Sequence, residues 1–277
     1  MRKSVFRRVT AALLGAAAIA LMAPATSASA DQGTPVYLDS GAKLMPGQSL
    51  KHGNSELVMQ GDGNLVLYLN AANGAHGPML WNSHTWGNWN AYAYMQPDGN
   101  LVVYKQGSTT DALWSTGTWG NWGVKLSLWN GYLRIWPANA QVLWDAGASR
   151  VHACCGVGGD HPEAYLAASQ GIGPGGWLES NSVWLVNQPD GNLALYRKRD
   201  GATLWSTGTW NRPGSTAFLW GSQYYGALEM FDHGTVVWST PVKGQDGDYI
   251  HVQDDGNFVI YNSGNQAKWS TGTWGNW

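Results

Sequence analysis

Residues Tyr37 to Tyr68 lie over Tyr165 to Tyr196 without a gap, at a constant shift of 128, and the overlay pairs Leu38 with Leu166, Pro46-Gly47 with Pro174-Gly175, Leu50 with Leu178 and Gln60 with Gln188. A chain that repeats itself on this scale is a tandem duplication and must fold as two copies of one architecture. Within each half a shorter unit of about 30 to 36 residues recurs and closes on tryptophan: Trp81, Trp114 and Trp144 in the first half, Trp205, Trp238 and Trp269 in the second. Each half therefore holds three units. A further echo follows many of these tryptophans, as in Ser115-Thr116-Gly117-Thr118-Trp119, Ser206-Thr207-Gly208-Thr209-Trp210 and Ser270-Thr271-Gly272-Thr273-Trp274.

Inside the units, short alternating runs of Val, Leu, Tyr and Trp are punctuated by Gly, Asn, Asp and Pro, which calls for an all-β architecture without amphipathic helices. Residues 149 to 164 lack the alternation and read as a connector. The expected layout is a leader at 1–30, one domain at 31–148, a linker at 149–164 and a second domain at 165–277.

The leader carries Arg2, Lys3, Arg7 and Arg8, an apolar run from Ala11 to Leu21, and Ala28-Ser29-Ala30 at the cleavage position, the pattern of a secretory signal peptide. Val9-Thr10-Ala11 after the arginine pair is a poor match to a twin-arginine signal, so the general secretory route is expected. The run is shorter than the roughly 20 apolar residues a bilayer requires, and no later stretch serves better. The expected product is secreted and extracellular, with no membrane insertion. Without the four leader cations, 12 Lys plus Arg face 18 Asp plus Glu, a net charge of about −6 that disfavours nucleic acid as a partner. The two cysteines, Cys154 and Cys155, are adjacent, so no disulfide ties distant segments together, and stability must come from the core. With His152 and His161 they match none of the usual zinc spacings, and neither a metal nor a cofactor is expected.

One nine-residue pattern with five polar or apolar positions at alternate residues returns four times: Gln60, Asp62, Asn64, Val66, Tyr68; Gln96, Asp98, Asn100, Val102, Tyr104; Gln188, Asp190, Asn192, Ala194, Tyr196; and Gln253, Asp255, Asn257, Val259, Tyr261. A core asks only for apolar volume and would not repeat an amide, a carboxylate and a phenol together. As one extended strand the motif would separate Gln from Tyr by roughly 26 Å at about 3.3 Å per residue. The turn sequences at its middle, such as Pro97-Asp98-Gly99, fold it back into a hairpin instead. A two-residue loop would pair Gln60 with Leu65, whereas a three-residue loop pairs Gln60 with Asn64 and gathers the polar groups on one face. Leu57, Met59, Leu65 and Leu67 then point to the core, as do Met95, Leu101 and Val103 beside the second copy and Val252, Phe258 and Ile260 beside the fourth. Asn187 breaks this apolar rule in the third. A carboxylate, two amides and a phenol around a small apolar floor suit a polyhydroxylated ring. Turn shaping alone would account for Asp and Asn but leave Gln and Tyr unexplained.

At these residues the chain resembles the monocot mannose-binding, or bulb-type, lectins, whose motif is Gln-x-Asp-x-Asn-x-Val-x-Tyr. The resemblance implies two tandem β-prism II domains, each of three four-stranded sheets with pseudo-threefold symmetry, with the unit tryptophans stacked at the prism centres. It also implies that Asp62 and Asn64 bind the axial 2-hydroxyl of mannose, Gln60 the 3-hydroxyl and Tyr68 the 4-hydroxyl, with Val66 against ring carbons, and likewise in the other copies. Ala194 in place of Val shrinks the floor of the third copy. Two units have lost the motif, with Leu128, Asn130, Tyr132, Arg134 and Trp136 in one and Gln223, Tyr225, Ala227, Glu229 and Phe231 in the other. Family members exchange C-terminal strands, which makes residues 270–277 candidates for exchange between prisms or, as a homodimer, between chains.

No paired catalytic carboxylates, nucleophile elbow, zinc helix or phosphate loop is found, so an enzyme is not expected. The expected function is a secreted, multivalent lectin for mannose or mannose-like sugars in polysaccharides; mannose-containing and rhamnose-containing glycans both stay open as partners. The alternative is a lectin-like bacteriocin, a class that tandem bulb-type domains also resemble, which binds the surface polysaccharide of related bacteria and kills them. Gly275-Asn276-Trp277 copies an internal repeat, which leads to the expectation of no added killing segment at the C-terminus.

Overall fold

The computed structural model describes residues 33–137, 141–151 and 164–277. The expected leader, Cys154 and Cys155 with His152 and His161, and most of the expected linker lie outside them. The elements of the described residues are β-strands, arranged in six sheets, three in each half.

In the first half one sheet orders β3 (Ser49–His52), β4 (Ser55–Met59), β5 (Leu65–Asn70) and β6 (His76–Asn82). The next orders β2 (Lys43–Leu44), β7 (Tyr92–Met95), β8 (Leu101–Tyr104) and β9 (Ala112–Ser115). The third orders β1 (Val36–Leu38), β10 (Lys125–Trp129), β11 (Tyr132–Trp136) and β12 (Trp144–Asp145). Each unit thus supplies three consecutive strands, and the segment before the first unit lays one short strand on each sheet in turn. The second half repeats the plan. β14 (Tyr165–Ala167) joins β23 (Tyr249–Val252), β24 (Phe258–Tyr261) and β25 (Ala267–Ser270). β15 (Gln170–Ile172) joins β20 (Thr216–Leu219), β21 (Leu228–Asp232) and β22 (Thr235–Ser239). β16 (Gly176–Glu179) joins β17 (Val183–Asn187), β18 (Leu193–Arg197) and β19 (Thr203–Ser206).

One sheet departs from the four strands expected of it. β13 (Ser149–Arg150), at the start of the expected linker, pairs in parallel with β16 and makes that sheet five-stranded. Two contacts hold it there: Val151 N–H donates to Trp177 O at 2.8 Å, and Arg150 Nε lies 2.7 Å from Glu179 Oε1.

Period-two alternation sends alternate residues inward. Leu57, Met59, Leu65 and Leu67 are buried, as are Met95, Leu101 and Val103 in the second sheet and Val252, Phe258 and Ile260 in the second half. The last strand of every sheet brings its tryptophan to the prism centre. Trp81, Trp114 and Trp144 meet edge to face with centroids 5.1 to 5.7 Å apart, and Trp205, Trp238 and Trp269 do so at 5.6 to 6.2 Å. Such angles set the positive edge of one ring against the negative face of the next, which three rings around an axis can all satisfy at once. Asn187 is fully buried at the position that Met59 holds in the first half, and its Nδ2 donates to Ile172 O and Ser215 O, both at 2.8 Å. The amide clasps two backbone segments in the interior, where a polar side chain needs such partners.

The halves meet through residues in which the duplication has diverged. Trp177 and Trp184 complete the core cluster of the first half, whereas Ser49 and Glu56 stand at the equivalent positions there. Trp177 reaches Tyr132, with centroids 6.2 Å apart, and Gly131 leaves room for its ring, since a Cβ there would sit 2.7 Å from Trp177 Cη2. Lys198 O and Arg199 O accept from Ala72 and Asn73 N–H at 2.8 and 3.2 Å. Under this seam Glu179 is buried with Lys198 Nζ at 2.6 Å and Trp184 Nε1 at 3.2 Å. Burial would raise its pKa, but the cations Lys198 and Arg150 prevail and hold the carboxyl below the usual range.

Candidate functional site

All four motif copies form the odd-length hairpin that parity requires. Gln60 N–H donates to Asn64 O at 2.8 Å and Gly63 N–H to Gln60 O at 3.1 Å. The same two bonds close 96–100, 188–192 and 253–257. The loop glycine takes the left-handed conformation every time, with φ between 87° and 92° at Gly63, Gly99, Gly191 and Gly256. At each tip one Asp oxygen accepts the Asn backbone N–H, at 2.9, 3.1, 3.0 and 2.9 Å for Asp62, Asp98, Asp190 and Asp255. Asp and Asn do shape the turn, therefore, yet the second carboxylate oxygen is not spent on it.

The Asn side chain is held by the segment after the unit tryptophan. Asn64 Oδ1 accepts from Ser83 Oγ and from Thr85 N–H, both at 3.1 Å. Asn100 Oδ1 is held by Thr116 and Thr118, Asn192 Oδ1 by Thr207 and Thr209, and Asn257 Oδ1 by Thr271 and Thr273. The second hydroxyl of each pair closes the clasp by donating to the loop glycine carbonyl at 2.7 Å, as Thr85 does to Gly63 O. With Oδ1 taken twice, the amide presents its Nδ2 protons as donors. These hydroxyls are positioning groups that pattern reading did not assign; their signal was the Ser-Thr-Gly-Thr-Trp echo, visible in the sequence without a role.

Gln and Tyr complete the set. Gln60 Nε2 donates to Tyr68 Oη at 3.1 Å, Gln96 to Tyr104 at 3.1 Å and Gln253 to Tyr261 at 3.0 Å. The phenol oxygen so engaged keeps its own proton to give away. Burial pushes the Tyr68 hydroxyl above its ordinary pKa, so it stays protonated at neutral pH. Val66, Val102 and Val259 are buried between these groups as an apolar floor. Each of these three copies thus offers two acceptors, the spare Asp oxygen and Gln Oε1, and two donors, Asn Nδ2 and Tyr Oη. Neighbouring hydroxyls on a pyranose, each able to give and take one proton, match that arrangement.

The third copy differs. Gln188 Oε1 accepts from Asn192 Nδ2 at 3.3 Å, Ala194 is fully buried, and Tyr196 packs against the core cluster through which the halves meet. The two units without the motif have also lost its hairpin. Trp129 pairs with Tyr132, so Asn130-Gly131 form a two-residue turn with both φ positive, and parity now buries Leu128 while Tyr132, Arg134 and Trp136 stay on the other face. In the other unit Trp220 N–H donates to Ala227 O across a longer loop, where Tyr225 stacks on Trp220 at 4.3 Å and Glu229 is spent on Trp220 Nε1 and Gly226 N–H. The C-terminal strand β25 pairs with β24 of its own sheet, and residues 271–276 hold the hairpin beside it.

No family model matches the chain. Mannose-specific lectin 2 of Colocasia esculenta is 29% identical over 239 residues, covering 85% of this chain and 84% of that protein. Among solved structures, a monomeric monocot mannose-binding lectin from Gastrodia elata matches 40% of this chain and 98% of its own at 28% identity and a TM-score of 0.37. The two-domain, fetuin-binding agglutinin of Scilla campanulata matches 84% of this chain and 95% of its own at 26% identity and a TM-score of 0.32. Those scores are low, and the fold rests on the sheet order and the tryptophan triads described above. The fourfold motif, the prism architecture and a lectin matched along most of both sequences make this chain a tandem relative of the monocot mannose-binding, or bulb-type, lectins.

Proposed function

We propose that the protein is a secreted, multivalent lectin that binds mannose or sugars with the same hydroxyl pattern in polysaccharides. The observation that carries this reading is the repetition of one rigid hydrogen-bonding set, Asp, Asn, Gln and Tyr on a single hairpin face, in separate sheets of both prisms. The name of the Colocasia esculenta relative points to the same sugar. Export follows from the leader pattern of residues 1–30. The copies at Asp62, Asp98 and Asp255 are full sites, and the third, with Gln188 turned to Asn192 and Ala194 as its floor, is a weaker one. Residues 31–148 and 165–277 would then act as two binding domains.

A single shallow monosaccharide site binds at about millimolar strength, roughly −4 kcal/mol. Retention on a surface needs several sites on one polymer, whose linkage raises the effective concentration for each later contact. Calorimetry and a glycan array on the wild type and on a variant with Asp62, Asp98, Asp190 and Asp255 changed to Asn test this reading. Asn keeps the turn-capping oxygen and removes the charge that would receive a sugar proton. Mannan is expected to bind the wild type far more tightly per sugar than free mannose, and the variant is expected to bind neither. Equal retention of mannan by both proteins would refute it.

A further inference from the structure

Seven tryptophans beside the motif hairpins stand in solvent. Trp86 and Trp89 are 70% and 71% exposed, Trp119 and Trp122 70% and 76%, Trp274 and Trp277 70% and 67%, and Trp210 58%. Packing does not require them, and water penalises apolar surface of this size. Three copies share one sequence, Trp-Gly-Asn-Trp, at 86–89, 119–122 and 274–277, while the third motif is followed by Trp210-Asn211-Arg212.

These loops are part of the hairpin clasp. Asn88 Nδ2 donates to Thr85 O at 3.0 Å and closes the loop on itself, while Thr85 Oγ1 donates to Gly63 O at 2.7 Å and Asn90 N–H to Gly61 O at 3.1 Å, which pins both ends of Trp86–Trp89 to the tip that carries Asp62. Asn121 N–H donates to Asp98 O and Gly275 N–H to Asp255 O, both at 2.8 Å. Trp86 directly follows Thr85, the residue whose N–H and hydroxyl fix Asn64 and Gly63, so one virtual bond of about 3.8 Å separates the indole's backbone from the site's own scaffold. The association is also selective. Every unit that keeps the polar motif carries an exposed tryptophan at this place, and the two units that lost the motif have Asp145-Ala146-Gly147 and Ser239-Thr240-Pro241 after their central tryptophans instead. Descent from a common unit does not by itself explain why the two features are kept and lost together; a shared ligand does.

We propose that the Trp-Gly-Asn-Trp loops are stacking platforms for the next pyranose of a neutral glycan chain whose first sugar lies in the motif site. The aromatic face is negative and a pyranose presents a face of weakly positive C–H groups, so a ring docked flat on indole loses little of its hydroxyl hydration while covering apolar surface. The ligand is then an oligosaccharide of at least two units, and the copy with Trp210 alone offers half a platform. This deepens the lectin reading and rests on it.

The test uses the full chain with Asp98, Asp190 and Asp255 changed to Asn, which leaves one site and removes avidity. Titration with mannose and with linear α-linked mannotriose, followed by indole fluorescence and calorimetry, is repeated after Trp86→Ala with Trp89→Ala and after Trp86→Tyr with Trp89→Tyr. Mannotriose is expected to bind the single-site protein roughly tenfold more tightly than mannose and to shift the indole emission to the blue. The alanine pair is expected to erase that gain at unchanged mannose affinity and unchanged melting temperature, and the tyrosine pair to restore part of it. No gain from chain length in the parent, a gain that survives the alanine pair, or a blue shift only with phosphatidylcholine vesicles would each overturn the proposal. Failure of the parent to bind mannose at all would refute the site reading instead.

Discussion

A left-handed backbone and a close neighbour are two separate demands for glycine, and this chain allows them to be measured apart. Gly41 and Gly63 both have positive φ, 85° and 91°, but a Cβ at Gly41 would meet nothing within 4 Å, whereas one at Gly63 would lie 2.0 Å from Asn88 O. Gly41→Ala should cost only the left-handed penalty, about 1–2 kcal/mol. Gly63→Ala adds a clash with backbone that no rotamer relieves, so the 85–90 loop must leave the hairpin. That sacrifices the bonds from Thr85 Oγ1 to Gly63 O, from Thr85 N–H to Asn64 Oδ1 and from Asn90 N–H to Gly61 O. At about 0.5–1.5 kcal/mol each, the three raise the total to about 3–6 kcal/mol. Urea unfolding of both variants reads the difference, and sugar titration of the single-site protein reads the lost Asn64 geometry. Equal destabilisation by the two substitutions would refute the clasp as a stabilising contact.

The other expectations concern charge, the sites and the core. Glu179→Gln leaves Arg150 and Lys198 facing a neutral group in the seam and should cost about 3–5 kcal/mol by denaturant unfolding. The wild-type Glu179 carboxyl is held below its ordinary pKa, so its contribution is present above the unfolded value of 4.5 and is lost as pH falls toward the folded one; thermal melts of the variant should lack that acid-side decline. Burial depresses the pKa of His251, stacked 4.1 Å from Tyr165, so acidification below about 6.5 should cost stability in the wild type and less in His251→Phe. In the single-site protein, Asn64→Asp keeps the oxygen that Ser83 and Thr85 hold but removes the Nδ2 donors, so sugar binding should vanish in calorimetry while the melting temperature shifts by only a few degrees. Trp81→Ala removes one wall of the first triad and should cost about 3–5 kcal/mol in the same unfolding assay.

The hairpins and the inward residues were legible because period two and loop parity are local rules. Gln60, Asp62, Asn64 and Tyr68 meet on one face for the reason their spacing implies, and Leu128 turns inward because Asn130-Gly131 shorten the loop by the same logic. What could not be read was non-local. Nothing in the run Asn82-Ser83-His84-Thr85 shows that the Ser83 hydroxyl and the Thr85 N–H will hold an amide 19 and 21 residues earlier. Nor does alternation reveal that Trp177 and Trp184 face the other half rather than solvent, since the equivalent Ser49 and Glu56 sit in the same pattern. Residues 149–151 joined a sheet because Glu179 was there to receive Arg150 and Trp177 O to receive the Val151 N–H, which is a property of the assembled seam.

Residues 36–52 and 165–179 contribute one strand to each of three sheets, and β1 and β14 reach the sheets built by the last unit of their halves. A growing chain therefore cannot finish any prism until its final hairpin has been made, because the opening segment has nowhere to dock on that side before then. Pairings over such sequence distances are slow to form. A fragment beginning at residue 53 would bare the outer edges of β4, β7 and β10 together, three templates for sticking to other chains. The leading stretch of each half works as a drawstring: pulled tight last, it turns three separate flaps into one closed body.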